Sequence, residues 1–223
     1  EKNYICQFFE NFGFDRYCKL KEDSGELIFR KQMKPRPEDY LRLAPLDFDI
    51  RFCPRYFNTE QDAFLVPVIS SYHNMLFPEA IKENSLFPQL DYMDSYSNAM
   101  RKAYLCKSNT NLVQAGSILF FYKSHDVGTI ETCGIVERVE RLRNPDAIIS
   151  LAGKRTVYQR SEIETMCKGE KDILVLLFRQ AEGFSKEIHF SELQKKKLVG
   201  GVPQSITKLS EEAKKWILKQ RPF

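Results

Sequence analysis

Histidine and tryptophan are scarce in this chain of 223 residues, with three of the first and one of the second. No C-x-x-C pair occurs among the six cysteines (Cys6, Cys18, Cys53, Cys106, Cys133 and Cys167), and none has a histidine at ligand spacing, so a structural metal site is not expected. Scattered thiols of this kind fit a reduced compartment, and a cytoplasmic protein is expected. No apolar run approaches the ~18 residues a membrane span needs. The first residues show neither the charged n-region nor the apolar h-region of a secretion signal. The chain opens on Glu1 rather than Met, which suggests a piece of a longer protein. Charge of one sign is also missing. The 34 basic and 30 acidic residues leave only +4, which permits an anionic partner without demanding one.

The motifs of several enzyme classes are absent as well. Gly200-Gly201 runs into Val202-Pro203 rather than a lysine-bearing helix, so it reads as a turn and not as a phosphate loop. No serine or cysteine has a histidine at the spacing of a catalytic pair, and His73, His125 and His189 read as structural or exposed.

What is present is a mixed pattern of helices and strands. Tyr4, Ile5, Phe8, Phe9 and Phe12 recur at helical spacing and predict one apolar helix face that ends at Gly13. Two strand-like runs follow, 14–20 and 26–33, about an Asp23-Ser24-Gly25 turn. The proline-rich run 34–39 and the aperiodic stretch behind it read as a linker over 36–61. Beyond it the pattern predicts strands at 64–69, 119–122, 129–139 and 173–178. Helices are expected at 70–77, from Ser97 through Leu105, at 145–151, at 161–167 with a Ser161/Glu164 capping box, at 191–198 and from Ser210. The segment 81–95 reads as a loop. Strands this close together exclude regular βαβ repeats and point to α+β with a curved or closed sheet.

Basic and aromatic residues interleave. Arg101, Lys102 and Tyr104 share one predicted helix, Tyr122 to His125 end a strand, and Lys154, Arg155, Tyr158 and Arg160 lie between helices. Lys195, Lys196, Lys197, Lys208, Lys214 and Lys215 add to the C-terminal part. Cations for phosphate beside aromatic faces for bases are what single-stranded nucleic acid requires. The plainer reading is a solvated basic face over tyrosines that belong to the core.

Three segments carry a family resemblance. They are Ser97 through Leu105, Ala115-Gly116-Ser117-Ile118-Leu119-Phe120-Phe121-Tyr122, and Cys133-Gly134-Ile135-Val136-Glu137. In this order they resemble the PUA-like superfamily, the pseudo-barrel shared by PUA, ASCH, EVE and YTH domains, with Ser117 where an aspartate is usual. Val66-Pro67-Val68-Ile69 with Tyr72-His73 resembles its opening strand and helix, and Lys154 to Tyr158 resembles a segment of bacterial members. The resemblance implies a β-barrel with flanking helices over 62–223 that binds RNA, single-stranded nucleic acid or a modified nucleoside. It places the ligand between the strand ending at Tyr122 and the helix carrying Arg101. Tyr104, Tyr122 or Tyr158 would then stack on a base, and Asn98, Ser124 and Gln204 would read its edge. Arg101 and Arg155 would hold phosphate, with His125 as a further donor or acceptor. The alternative partners for Arg155 are Glu162 and Glu164.

A second resemblance covers residues 1–35. Gln7-Phe8-Phe9-Glu10-Asn11-Phe12-Gly13-Phe14, followed by Gly25-Glu26-Leu27-Ile28-Phe29, resembles the C-terminal end of GNAT acetyltransferases. The acetyl-CoA loop of that family would lie upstream, and Phe9 stands where a tyrosine often serves as acid; a phenyl ring cannot donate a proton. The chain alone is therefore expected to need no cofactor and to transfer no acetyl group. The alternative is that it forms the substrate-selecting part of a working acetyltransferase, and a protein-interaction barrel is the third reading.

Overall fold

The computed structural model describes residues 4–21, 25–53, 57–78, 100–124, 128–181, 184 and 186–220. The chain divides into two compact units, Glu1–Glu60 and Gln61–Phe223.

In the first unit, α1 (Tyr4–Asn11) leads into an antiparallel hairpin of β1 (Asp15–Lys19) and β2 (Leu27–Arg30). Gly13 takes φ +78°, and a Cβ there would lie 2.5 Å from the carbonyl oxygen of Ile50, so only glycine fits this close approach. Phe9 stacks on Phe29 at 5.0 Å and meets Phe14 edge-on. The remaining apolar stripe does not pack as its period suggests, because Tyr4, Ile5 and Phe8 are exposed and Cys6 is the buried residue of α1. Residues 36–61, read as a linker, hold two helices, α2 (Asp39–Arg42) and α3 (Pro45–Phe52). Phe48 and Phe52 of α3 are buried, and Pro45 stands at its first turn, where the missing N–H costs nothing.

The second unit is built on a mixed sheet with strands β3 (Ala63–Ile69), β4 (Arg101–Cys106), β5 (Ile118–Ser124), β6 (Thr129–Leu142), β7 (Ile173–Gln180), β8 (Ile188–His189) and β9 (Thr207–Lys208). Their order is β4-β7-β6-β5-β3-β9, with β8 on β6. Among the described residues the pairings run as an open path. β3 and β5 are parallel, in register from Ala63↔Ile118 to Ile69↔Ser124, and the other pairs are antiparallel. This is the α+β class expected, and the helices are α4 (Ser70–Leu76), α5 (Pro145–Ala152), α6 (Arg160–Cys167), α7 (Phe190–Lys195) and α8 (Glu211–Leu218).

The largest correction concerns β4. Met, Arg, Lys, Ala and Leu favour helix locally, yet 101–106 is a strand because its backbone pairs fully along β7, from Arg101↔Arg179 to Cys106↔Leu174. A strand alternates its faces. Ala103 and Leu105 pack with Ile148, Ala152 and Ile163 of α5 and α6. Tyr104 packs with Phe121, Phe178 and Val136 on the other side. Gly134 sits where a Cβ would strike Phe178 at 2.6 Å, which lets β6 pass directly over that ring. The capping box of α6 lies two residues earlier than expected. Gln159 is the N-cap and Glu162 the reciprocal acid, so neither Ser161 nor Glu164 takes part. β8 and β9 have two residues each and leave no periodic signal. The segment 81–95, read as a loop, lies outside the described residues.

Candidate functional site

The second unit holds a cavity of about 700 Å³ at the carboxyl ends of the parallel pair β3 and β5. Ends of parallel strands are natural ligand sites, because side chains and loops converge there without a covering ladder. Pro67, Val68 and Ile69 come from β3, Tyr122 and Ser124 from β5, and Tyr104 and Cys106 from β4. Tyr72 of α4, Lys107, Ser108, Gly128, Tyr158 and the segment 202–206 complete the wall.

Four tyrosines thus face one space, each held differently. The Tyr104 hydroxyl donates to Pro67 O at 2.8 Å, and burial raises its phenol well above the ordinary value. Tyr122 leans on Phe190 at 5.1 Å, and burial raises its pKa too. Gly128 lies beside its hydroxyl, with room for a Cβ only at 3.3 Å. The β5–β6 register shifts between Phe121 and Tyr122, with Glu131 of β6 as the extra residue opposite this end of β5. Tyr158 and Tyr72 meet at 4.9 Å with their planes 43° apart. Burial raises the Tyr158 phenol, while Tyr72 is raised first by donating its hydroxyl to Glu162. All four phenols stay neutral at physiological pH.

Burial likewise pushes the Cys106 thiol up to about 11, so it remains protonated and is no nucleophile at neutral pH. The Ser124 hydroxyl donates to Val68 O at 3.1 Å, and its carbonyl accepts from Ser70 Oγ at 2.9 Å, which ties the ends of β3 and β5 together. Lys107 is the one charged side chain among the described residues lining the cavity, and no carboxylate lines it. The wall therefore suits flat aromatic or neutral ligands with, at most, a compact anion.

Of the residues expected at the site, Tyr104, Tyr122, Ser124, Tyr158 and Gln204 line this one cavity. Arg101 and Arg155 do not. With Tyr104 on a strand and not a helix, Arg101 falls on the opposite face, where it pairs with Glu137 at 2.8 Å. Arg155 donates Nε to Ala152 O at 3.1 Å and NH2 to Leu151 O, closing the C-terminal end of α5 instead of pairing with Glu162 or Glu164. Burial and the nearby Arg101 charge lower its pKa. Asn98 and His125 lie outside the described residues. Sequence reasoning missed Tyr72, Cys106, Lys107 and Ser108 as wall residues. The signal for Lys107 and Ser108 existed: they directly follow a strand end, once 101–106 is read as a strand. Among the described residues no group of three or more His, Cys, Asp or Glu is placed to hold a metal ion, and no helix is long and apolar enough to cross a membrane.

No protein-family model matches the chain, and no curated protein matches it in sequence. Solved structures do match. A serine-to-alanine variant of ZmASCH from Zymomonas mobilis aligns with a TM-score of 0.54 and 10% identity, over 70% of this chain and 94% of that one. A tyrosine-to-phenylalanine variant of the same protein gives 0.51 and 12%, over 70% and 96%. The ASCH structure from that organism gives 0.51 and 13%, over 70% and 94%. The mixed sheet and these alignments agree: over about 70% of its length the chain has a fold similar to that of the ASCH structures.

Proposed function

We propose that the second unit is a nucleic-acid-binding module that takes one base, ordinary or modified, of an RNA or single strand into the 700 Å³ cavity. The observation that carries this reading is the wall itself, with four neutral tyrosines, one lysine and no carboxylate among its described residues. A nucleobase needs flat apolar faces and a few edge contacts; its phosphate needs a cation. Tyr122 and Tyr158 offer stacking surface, Gln204 a donor and an acceptor, Ser124 an acceptor, and Lys107 a charge for phosphate. Arg101 and Arg155 have no part in it, since their guanidinium groups serve Glu137 and the end of α5.

The test is calorimetric titration of the full chain with ribonucleoside monophosphates, methylated nucleosides, short RNA and single-stranded DNA. Tyr122→Ala is expected to weaken binding by about 1–3 kcal/mol, the worth of one stacked base. Tyr122 is also packed on Phe190, so Gln204→Ala, at an exposed position, serves as the variant that leaves the fold intact. No binding by any probe, or binding that both variants leave unchanged, overturns the reading.

For the first unit the proposal is a GNAT-type C-terminal element with no acetyl transfer of its own. Its support is the helix–hairpin arrangement with Phe9 at its centre, stacked on Phe29, where an acid would have to donate. Turnover of acetyl-CoA with any amine would overturn this.

A further inference from the structure

A second, shallower cavity of about 350 Å³ lies on α6, lined by Tyr72, Tyr158, Ser161, Glu162, Thr165 and Met166. Tyr72 and Tyr158 also line the large cavity, so this pair of rings is a wall shared by both. The wall is braced. The Tyr72 hydroxyl donates to Glu162 Oε1, and Glu162 Oε2 accepts the Gln159 N–H at 2.7 Å within the capping box. The two cavities differ in charge. The large one has Lys107 and no carboxylate among its described lining residues, whereas the small one has Glu162 and no cation.

We infer that the small cavity is the subsite for a second base of the same strand, so that the chain recognises at least a dinucleotide and not an isolated nucleoside. The inference rests on the nucleic-acid reading of the large cavity. Successive bases stacked on aromatic side chains are one way a single strand is held without reading its sequence. Phosphate is disfavoured beside Glu162, so the group that enters is a base and not the backbone. Glu162 retains further lone-pair capacity on both oxygens. Thr165 Oγ donates to Ser161 O at 2.8 Å, which leaves its lone pairs as acceptors. With the Ser161 hydroxyl able to donate or accept, the subsite is richer in acceptors than in donors and favours a base with an exocyclic amino group, adenine, cytosine or guanine, over uracil.

The experiment compares AMP, CMP and UMP with the dinucleotides ApA, CpC and UpU, by calorimetry on the full chain and on Thr165→Trp. Thr165 is exposed, and the indole would fill the small cavity without entering the core. ApA or CpC is expected to bind about tenfold tighter than its mononucleotide, within the range one more stacked base provides. UpU is expected to gain less. In Thr165→Trp that advantage should vanish while mononucleotide affinity stays unchanged. Equal affinity for mono- and dinucleotide in the unaltered chain overturns the second subsite and leaves the first intact. The same follows if Thr165→Trp weakens both alike. If none of the six probes binds, the nucleic-acid reading falls, and the subsite with it.

Discussion

The two units solve the problem of burial differently. In the second, β5 is buried from Ile118 through Tyr122 and β7 from Ile173 through Arg179. In the first, β1 and β2 have no fully buried residue, and Tyr4 is 82% and Phe8 58% exposed. A two-stranded hairpin with three helices of at most eight residues has too little interior to cover all of its apolar residues. A sheet flanked by helices on two sides covers nearly all of them. Substitutions of the same chemistry should therefore have different consequences in the two units.

The largest contrast is expected for phenylalanine truncation. Phe121 is fully buried and packs on Phe77 at 4.7 Å and Phe178 at 4.8 Å. Phe121→Ala should destabilise the second unit by about 3–5 kcal/mol. Phe8→Ala should change stability by no more than about 0.5 kcal/mol, as at other exposed sites. Urea unfolding followed with a probe in each unit measures both, and equal effects would erase the distinction between the units.

Acid should sharpen the comparison by striking the second unit through a single group. His73 is buried against Phe77, neither ring nitrogen has a hydrogen-bond partner, and burial, aided by the Lys123 charge, pushes its pKa down to about 3. The unfolded chain protonates this histidine near its ordinary 6.5, while the folded chain does not. The stability it lends is thus complete above 6.5 and declines as pH falls from 6.5 to about 3. Between pH 7 and 5 that is a loss of about 2 kcal/mol. His73→Leu should flatten this segment of the pH–stability curve. An unchanged slope in that variant would assign the acid sensitivity elsewhere.

Much of the fold was legible because burial leaves periods. The continuous apolar run of β7, the Gly116 turn before β5 and the Ser210 cap of α8 all carry their signals within a few residues. α3 was harder to read, since the stretch 40–60, with Pro45, Pro54 and its aromatics, shows no clear period until Phe48 and Phe52 are seen to share a buried side. β4 was misread for a different reason. Local propensity favours helix, and only the ladder with β7 reverses it.

That reversal also decided the candidate site. The family resemblance grouped Tyr104, Tyr122, Ser124, Tyr158 and Gln204, and the structure brings these five to one cavity. Which face each would occupy depended on pairing. On a helix Arg101 and Tyr104 would be neighbours, whereas on a strand three residues apart they are on opposite faces. The fate of Arg155 was likewise a matter of local geometry, with the carbonyls of Leu151 and Ala152 within hydrogen-bond reach of its guanidinium group. Composition and spacing by themselves determined an α+β chain with aromatic strand ends and a modest positive charge. The cavity, its lysine, the shared wall of Tyr72 and Tyr158 and the buried neutral His73 were decided by tertiary structure alone, since each depends on contacts between residues dozens of positions apart.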